Sequence, residues 1–105
     1  MKELTVQELK LKQNNNEKFQ LIDVREEYEV EVGNIGGTHI PMGEILNHID
    51  EFSREIPVVF HCRSGARSAA VVNALEQQYG FTNLYNLKGG ITAYSNEIDE
   101  NIKVG

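Results

Sequence analysis

Residues Val58 to Gly80 read VVFHCRSGARSAAVVNALEQQYG, and this stretch decides the fold. Val58, Val59 and Phe60 form the apolar run of a buried strand. Gly65 breaks the run, and from Ala66 to Tyr79 the residues are good helix formers, stopped by Gly80. A strand that passes through a tight loop into a helix is half of a strand-helix-strand unit, in which the strands pair in parallel through a right-handed crossover. The rest of the chain repeats the alternation. Phe19 to Val24 (FQLIDV), Thr38-His39-Ile40 before Pro41, and Leu84 to Leu87 (LYNL) read as further strands. Thr5 and Glu8 form a capping box, with Leu4 and Leu9 as a hydrophobic staple, for a helix from Val6 to Lys12. Arg25-Glu26-Glu27 opens a short helix ended by Gly33 as a C′ residue. Ile45, Leu46, Ile49 and Phe52 fall at helical spacing, and Ile91, Tyr94 and Ile98 mark a last helical turn or two. The expected fold class is α/β: a three-layer arrangement with a small central parallel sheet and helices on both faces, as one domain over residues 1–105.

Composition narrows the function. The chain has 105 residues, 40% of them hydrophobic and 25% charged, which is ordinary globular composition. A net charge of -6 argues against nucleic acid or an anionic membrane as partner. One cysteine excludes an internal disulfide, and with His39, His48 and His61 scattered along the chain no metal site is expected. No run of about 18 apolar residues could span a bilayer, and a cytoplasmic setting is expected.

The junction at Cys62 has chemistry of its own. Ligands of parallel α/β sheets sit at the carboxyl ends of the strands, and Cys62 lies at one of these ends. The following helix points its exposed amides and positive dipole end at the sulfur, and inward-turned loop amides add an anion-binding nest. Arg63 and Arg67 bring two positive charges. All of this favours thiolate over thiol, so Cys62 is the candidate nucleophile. His61 should face away from Cys62 by strand alternation and reads as structural. Asp23 and Arg25 follow a strand and read as an ion pair or cap before they read as substrate ligands. The acidic run Glu26 to Glu31 reads as a solvated helix face, and Gly36-Gly37 and Gly89-Gly90 as turns.

His61, Cys62 and Gly65 match the opening of the cysteine-phosphatase pattern His-Cys-x-x-Gly-x-x-Arg, but the arginine arrives one residue early, at Arg67, with Ser68 in its place. CRSGARS instead resembles the active-site loop of the single-domain rhodanese-like sulfurtransferases. LIDVREEYEVEVGNIGGTHIPMGEI, Leu21 to Ile45, is similar to the segment of that family in which Asp-Val-Arg precedes a short helix, a glycine-flanked turn and an Ile-Pro. GFTNLYNLKGGITAY, Gly80 to Tyr94, resembles its closing strand and Gly-Gly turn. Asn34 and Tyr94 depart from the His and Trp that many relatives carry.

The resemblance implies a six-residue loop, Cys62 to Arg67, whose cysteine takes the outer sulfur of a donor such as thiosulfate as a persulfide. The sulfur then passes to a thiophilic acceptor, cyanide in an assay and a thiol, which a protein could carry, in the cell. The amides of Arg63, Ser64, Gly65, Ala66 and Arg67 would stabilise the persulfide anion. Arg63 and Arg67 would attract the dianionic donor, Ser64 and Ser68 would supply hydroxyls, and Asp23 and Arg25 would support the site. No cofactor is implied. A phosphatase or arsenate reductase of the same fold has a loop longer by one residue, and a noncatalytic binding module has no need of a reactive cysteine; these are the two alternatives.

Overall fold

The computed structural model describes residues 1–105. Five strands, β1 (Glu3–Leu4), β2 (Gln20–Asp23), β3 (Thr38–His39), β4 (Val58–His61) and β5 (Leu84–Leu87), form one sheet in the order β1-β5-β4-β2-β3. Every pairing is parallel. The helices are α1 (Val6–Asn14), α2 (Glu27–Val32), α3 (Ala66–Tyr79) and α4 (Gly90–Glu97), with a 3₁₀ segment at Met42–Glu51.

The expected three layers are present. On one side of the sheet Ile22, Val58, Phe60 and Cys62 pack against Ile45 and Phe52 of the 3₁₀ region and Val71, Val72 and Leu75 of α3. On the other, Val59 and Leu87 pack against Val6 and Leu9 of α1 and Tyr94 of α4. Covered on both faces, β4 buries all four of its residues, as a central parallel strand must. Phe52 sets its ring edge-on to Phe60 at 5.3 Å and to Phe81 at 6.5 Å, closing the first layer.

The capping box forms as expected: Glu8 N donates to Thr5 Oγ1 at 3.1 Å and Thr5 N to Glu8 Oε1 at 3.0 Å. Three local readings are corrected. Gly33 ends α2 in extended backbone (φ -178°) rather than as a left-handed C′ residue. It has no side chain because the carbonyl of Lys103 fills that space. The segment holding Ile45 is 3₁₀, kinked at His48. Ile45 and Phe52 are buried and Ile49 packs half-buried against the same core, while Leu46 is 55% exposed; no single helical period holds across the kink at His48. Strand β1 was not expected, because two residues carry no periodicity; its pairing of Glu3 with Asn86 and Leu4 with Leu87 defines it.

Candidate active site

Strand β4 delivers Cys62 to the C-terminal edge of the sheet, where the chain turns into α3. The sulfur accepts the N–H of Gly65 at 3.1 Å and of Ser68 at 3.5 Å, and Ser68 Oγ stands 3.4 Å away. Gly65 is the N-cap of α3 at φ +108°, a conformation that a residue with a side chain adopts only under strain. This backbone turn aims its N–H at the sulfur. Cys62 is 1% exposed. Burial pushes its thiol up, but the hydrogen-bonding groups of the loop around it, at Ser68, Gly65 and Ser64, outweigh that and hold it below the ordinary thiol range.

The outward-facing side of the loop is held by α4. Ile91 N donates to Cys62 O at 3.0 Å and Thr92 N to Arg63 O at 3.1 Å, so the carbonyls are occupied away from the sulfur. This approach requires Gly90, at φ +59°, where a Cβ would lie 2.5 Å from both carbonyl oxygens. Gly89-Gly90 therefore does more than turn the chain; it docks a helix start on the cysteine loop. The only signal in the sequence is the glycine pair itself.

Two residues that the sequence does not mark complete the loop. Asn86 of β5 is buried; its Nδ2 donates to Gly65 O at 3.1 Å and its Oδ1 lies 2.5 Å from Ser68 Oγ. Glu29 of α2 accepts both terminal nitrogens of Arg67, at 2.7 and 2.8 Å. Its carboxyl is held down to about 2, chiefly by that pair and against the opposing effect of burial, and Arg67 is raised in return. This corrects the reading of Glu26 to Glu31 as a solvated face: Glu29 is 5% exposed, while Glu26, Glu27 and Glu31 do face water. It also changes the expectation for Arg67, which is already paired. Arg63, Ser64 and Ala66 are exposed, and the Arg63 guanidinium has no hydrogen-bond or ion-pair partner.

Asp23 and Arg25 form a buried pair, with Arg25 Nε donating to Oδ1 at 3.0 Å and Nη2 to Oδ2 at 2.8 Å. The same guanidinium donates to the carbonyls of Gly33 at 2.8 Å and Glu29 at 3.4 Å, tying α2 to the sheet edge. Burial pushes the Asp23 carboxyl up, and the Arg25 hydrogen bonds more than offset it. The pair is thus joined to the cysteine loop through α2, Glu29 and Arg67. His61 is fully buried beside Asp23, its Nε2 3.7 Å from Oδ2, and neither ring nitrogen has a hydrogen-bond partner. Burial lowers its pKa, so it is neutral at neutral pH. Asp23 and His61 are register partners across β2 and β4.

The chain is similar in sequence and in fold to known proteins. The family model described as "Rhodanese-like domain" matches residues 5–97. "Putative sulfurtransferase YtwF" of Bacillus subtilis is 40% identical over 98 residues, covering 92% of this chain and 93% of that protein. "Sulfurtransferase" of Allochromatium vinosum is 38% identical over 76 residues, covering 71% and 70%. Among solved structures, a rhodanese-like domain protein from Staphylococcus aureus superposes with a TM-score of 0.83 at 32% identity, covering 100% of this chain and 99% of that one.

Proposed function

The chain belongs to the rhodanese-like family, and we propose that it is a sulfurtransferase working through a persulfide on Cys62. The thiolate attacks the outer sulfur of thiosulfate or a persulfide donor; the new S–S bond forms as the bond to the donor breaks, and sulfite or the donor thiolate leaves. An acceptor nucleophile then takes that sulfur, cyanide leaving as thiocyanate or a thiol as a persulfide, and the Cys62 thiolate is restored. No proton moves in the first step if Cys62 is already ionised, so no general base is required. Neutral His61, buried among its neighbours, is not needed.

The observation that carries this reading is the aim of the loop amides. Gly65 and Ser68 point their N–H groups at the sulfur itself, at 3.1 and 3.5 Å. That arrangement stabilises a sulfur-centred anion. A phosphatase needs its donors around a tetrahedral group beyond the sulfur. Arg63 is the free cation for a dianionic donor, since Arg67 is occupied by Glu29. Small-molecule donors fit an almost covered sulfur, and among the relatives one from Bacillus subtilis carries the name "Putative sulfur carrier protein YrkF", in keeping with a protein thiol as acceptor.

Intact mass spectrometry tests the reading. Thiosulfate should add one sulfur atom, cyanide should remove it, and Cys62→Ser should abolish both. Cys62-dependent hydrolysis of an aryl phosphate without any sulfur loading would favour the phosphatase reading instead, and neither activity would favour a binding module.

A further inference from the structure

The Ser68 hydroxyl has one proton and three acceptors within reach: Asn86 Oδ1 at 2.5 Å, Gly65 O at 3.2 Å and Cys62 Sγ at 3.4 Å. Two can be decided by counting lone pairs. Gly65 O already accepts from Ala69 N at 3.0 Å and Asn86 Nδ2 at 3.1 Å, which uses both of its lone pairs. Because Nδ2 is spent on Gly65 O, the atom of Asn86 that faces Ser68 is its acceptor oxygen. An acceptor 2.5 Å from a hydroxyl oxygen requires the proton between them. The Ser68 oxygen then turns a lone pair, not a proton, toward the sulfur.

We propose that Asn86 is a positioning residue that withholds the Ser68 proton from Cys62, leaving the thiolate to be stabilised by backbone amides alone. The consequence is a sulfur kept more nucleophilic than a fully hydrogen-bonded thiolate would be, since thiol nucleophilicity falls as its pKa falls. Ser68 Oγ remains free to accept the S–H proton of the resting thiol. The same amide of Asn86 anchors Gly65 O, so one side chain fixes both the loop turn and the hydroxyl orientation. This inference rests on Cys62 being the reacting group, as in the reading above, but not on which donor it attacks.

The test is the pH profile of iodoacetamide alkylation of Cys62, which reads the thiolate with no sulfur donor present; failure of the sulfurtransferase reading would show in thiosulfate loading and leave this profile untouched. The charged groups around the sulfur stay the same in every variant: Arg67 with Glu29, Arg63, and Asp23 with Arg25 behind neutral His61. Strand β5 and the first turn of α4 add none. Asn86→Ala also frees a lone pair on Gly65 O, but the charged thiolate is the stronger acceptor, so the released hydroxyl should donate to it and lower the alkylation midpoint by about one pH unit, the size of one hydrogen bond to a charged group. In a Ser68→Ala background the same substitution should shift nothing. An unchanged midpoint in Asn86→Ala, or a shift that survives without the hydroxyl, overturns the proposal. If Asn86→Ala does not fold, Ser68→Ala alone decides: a midpoint that stays or falls agrees with a lone pair facing the sulfur, and one that rises shows that Ser68 was donating to it.

Discussion

Glu29 and Arg67 lie 38 positions apart and meet end to end, both carboxylate oxygens on both terminal nitrogens. The last residue of the cysteine loop is therefore braced by a helix that precedes it by two strands. The pair is asymmetric: Glu29 is buried, whereas the Arg67 side chain is 36% exposed. Removing the arginine leaves a buried carboxylate without its partner, while removing the carboxylate leaves a cation that water can reach. Arg67→Ala should therefore cost more stability than Glu29→Gln, about 3 kcal/mol against about 1–2 kcal/mol, in urea unfolding. Equal losses would mean that the pair contributes little beyond packing.

The two arginines of the loop should separate in kinetics. Arg63→Ala should slow sulfur loading from thiosulfate roughly tenfold at low ionic strength, with the difference shrinking at high salt, and leave alkylation by neutral iodoacetamide unchanged. Arg67→Ala should slow both reactions together, because the loop itself is disturbed. A selective loss of thiosulfate reactivity in Arg67→Ala, with Arg63→Ala silent, would reassign donor recognition to the paired residue.

Gly90 and Gly36 are both in left-handed backbone, at φ +59° and +86°, but only Gly90 faces neighbouring carbonyls, and nothing lies within 4 Å of a Cβ built at Gly36. Gly36→Ala should cost about 1 kcal/mol of backbone strain with normal sulfur transfer. Gly90→Ala should also push α4 off the loop and reduce the transfer rate by about 100-fold, the scale of a misplacement of ~1 Å. Parallel rate and melting measurements on the two variants distinguish strain from displacement.

His61 should make stability depend on pH. Its folded pKa lies below the ordinary 6.5 because of burial, whereas the unfolded chain takes up the proton near that value. The native state thus has this contribution in full above pH 6.5 and loses it as pH falls toward the folded value, at up to about 1.4 kcal/mol per pH unit. Urea unfolding at pH 7.5 and 5.5 should show a larger loss for the native chain than for His61→Leu, which retains His39 and His48. Equal losses in both proteins would place the titration elsewhere.

What could be read from the sequence was whatever a short window contains. The capping box at Thr5 and Glu8, the β4-loop-α3 passage and the paired Asp23 and Arg25 each involve residues close in sequence, and the structure places them as expected. Cys62 was marked by its position between a strand and a helix start. Glu29 and Asn86 were not, because their partners lie 38 and 18 to 21 residues away. Nothing local distinguishes Glu29 from Glu27, or Asn86 from a polar residue in an edge strand. Only the packing of α2 and β5 around β4 assigns them to the loop. Leu46 failed for a different reason: the kink at His48 interrupts the regular winding that helical spacing assumes, so one period does not describe Met42–Glu51.

The bonds from Ile91 and Thr92 to the loop carbonyls have a bearing on biosynthesis. Cys62 emerges from the ribosome with β4 and α3, but Asn86, Gly90 and the two amides that restrain its loop are translated about 25 to 30 residues later, about one to six seconds at ordinary rates of elongation. Until they arrive, the Gly65 turn is unanchored and the sulfur is an ordinary thiol with an ordinary hold on its proton. A newly made chain thus carries only the small thiolate fraction of an ordinary cysteine while it is still incomplete. The ionised sulfur and the fold that covers it arrive together.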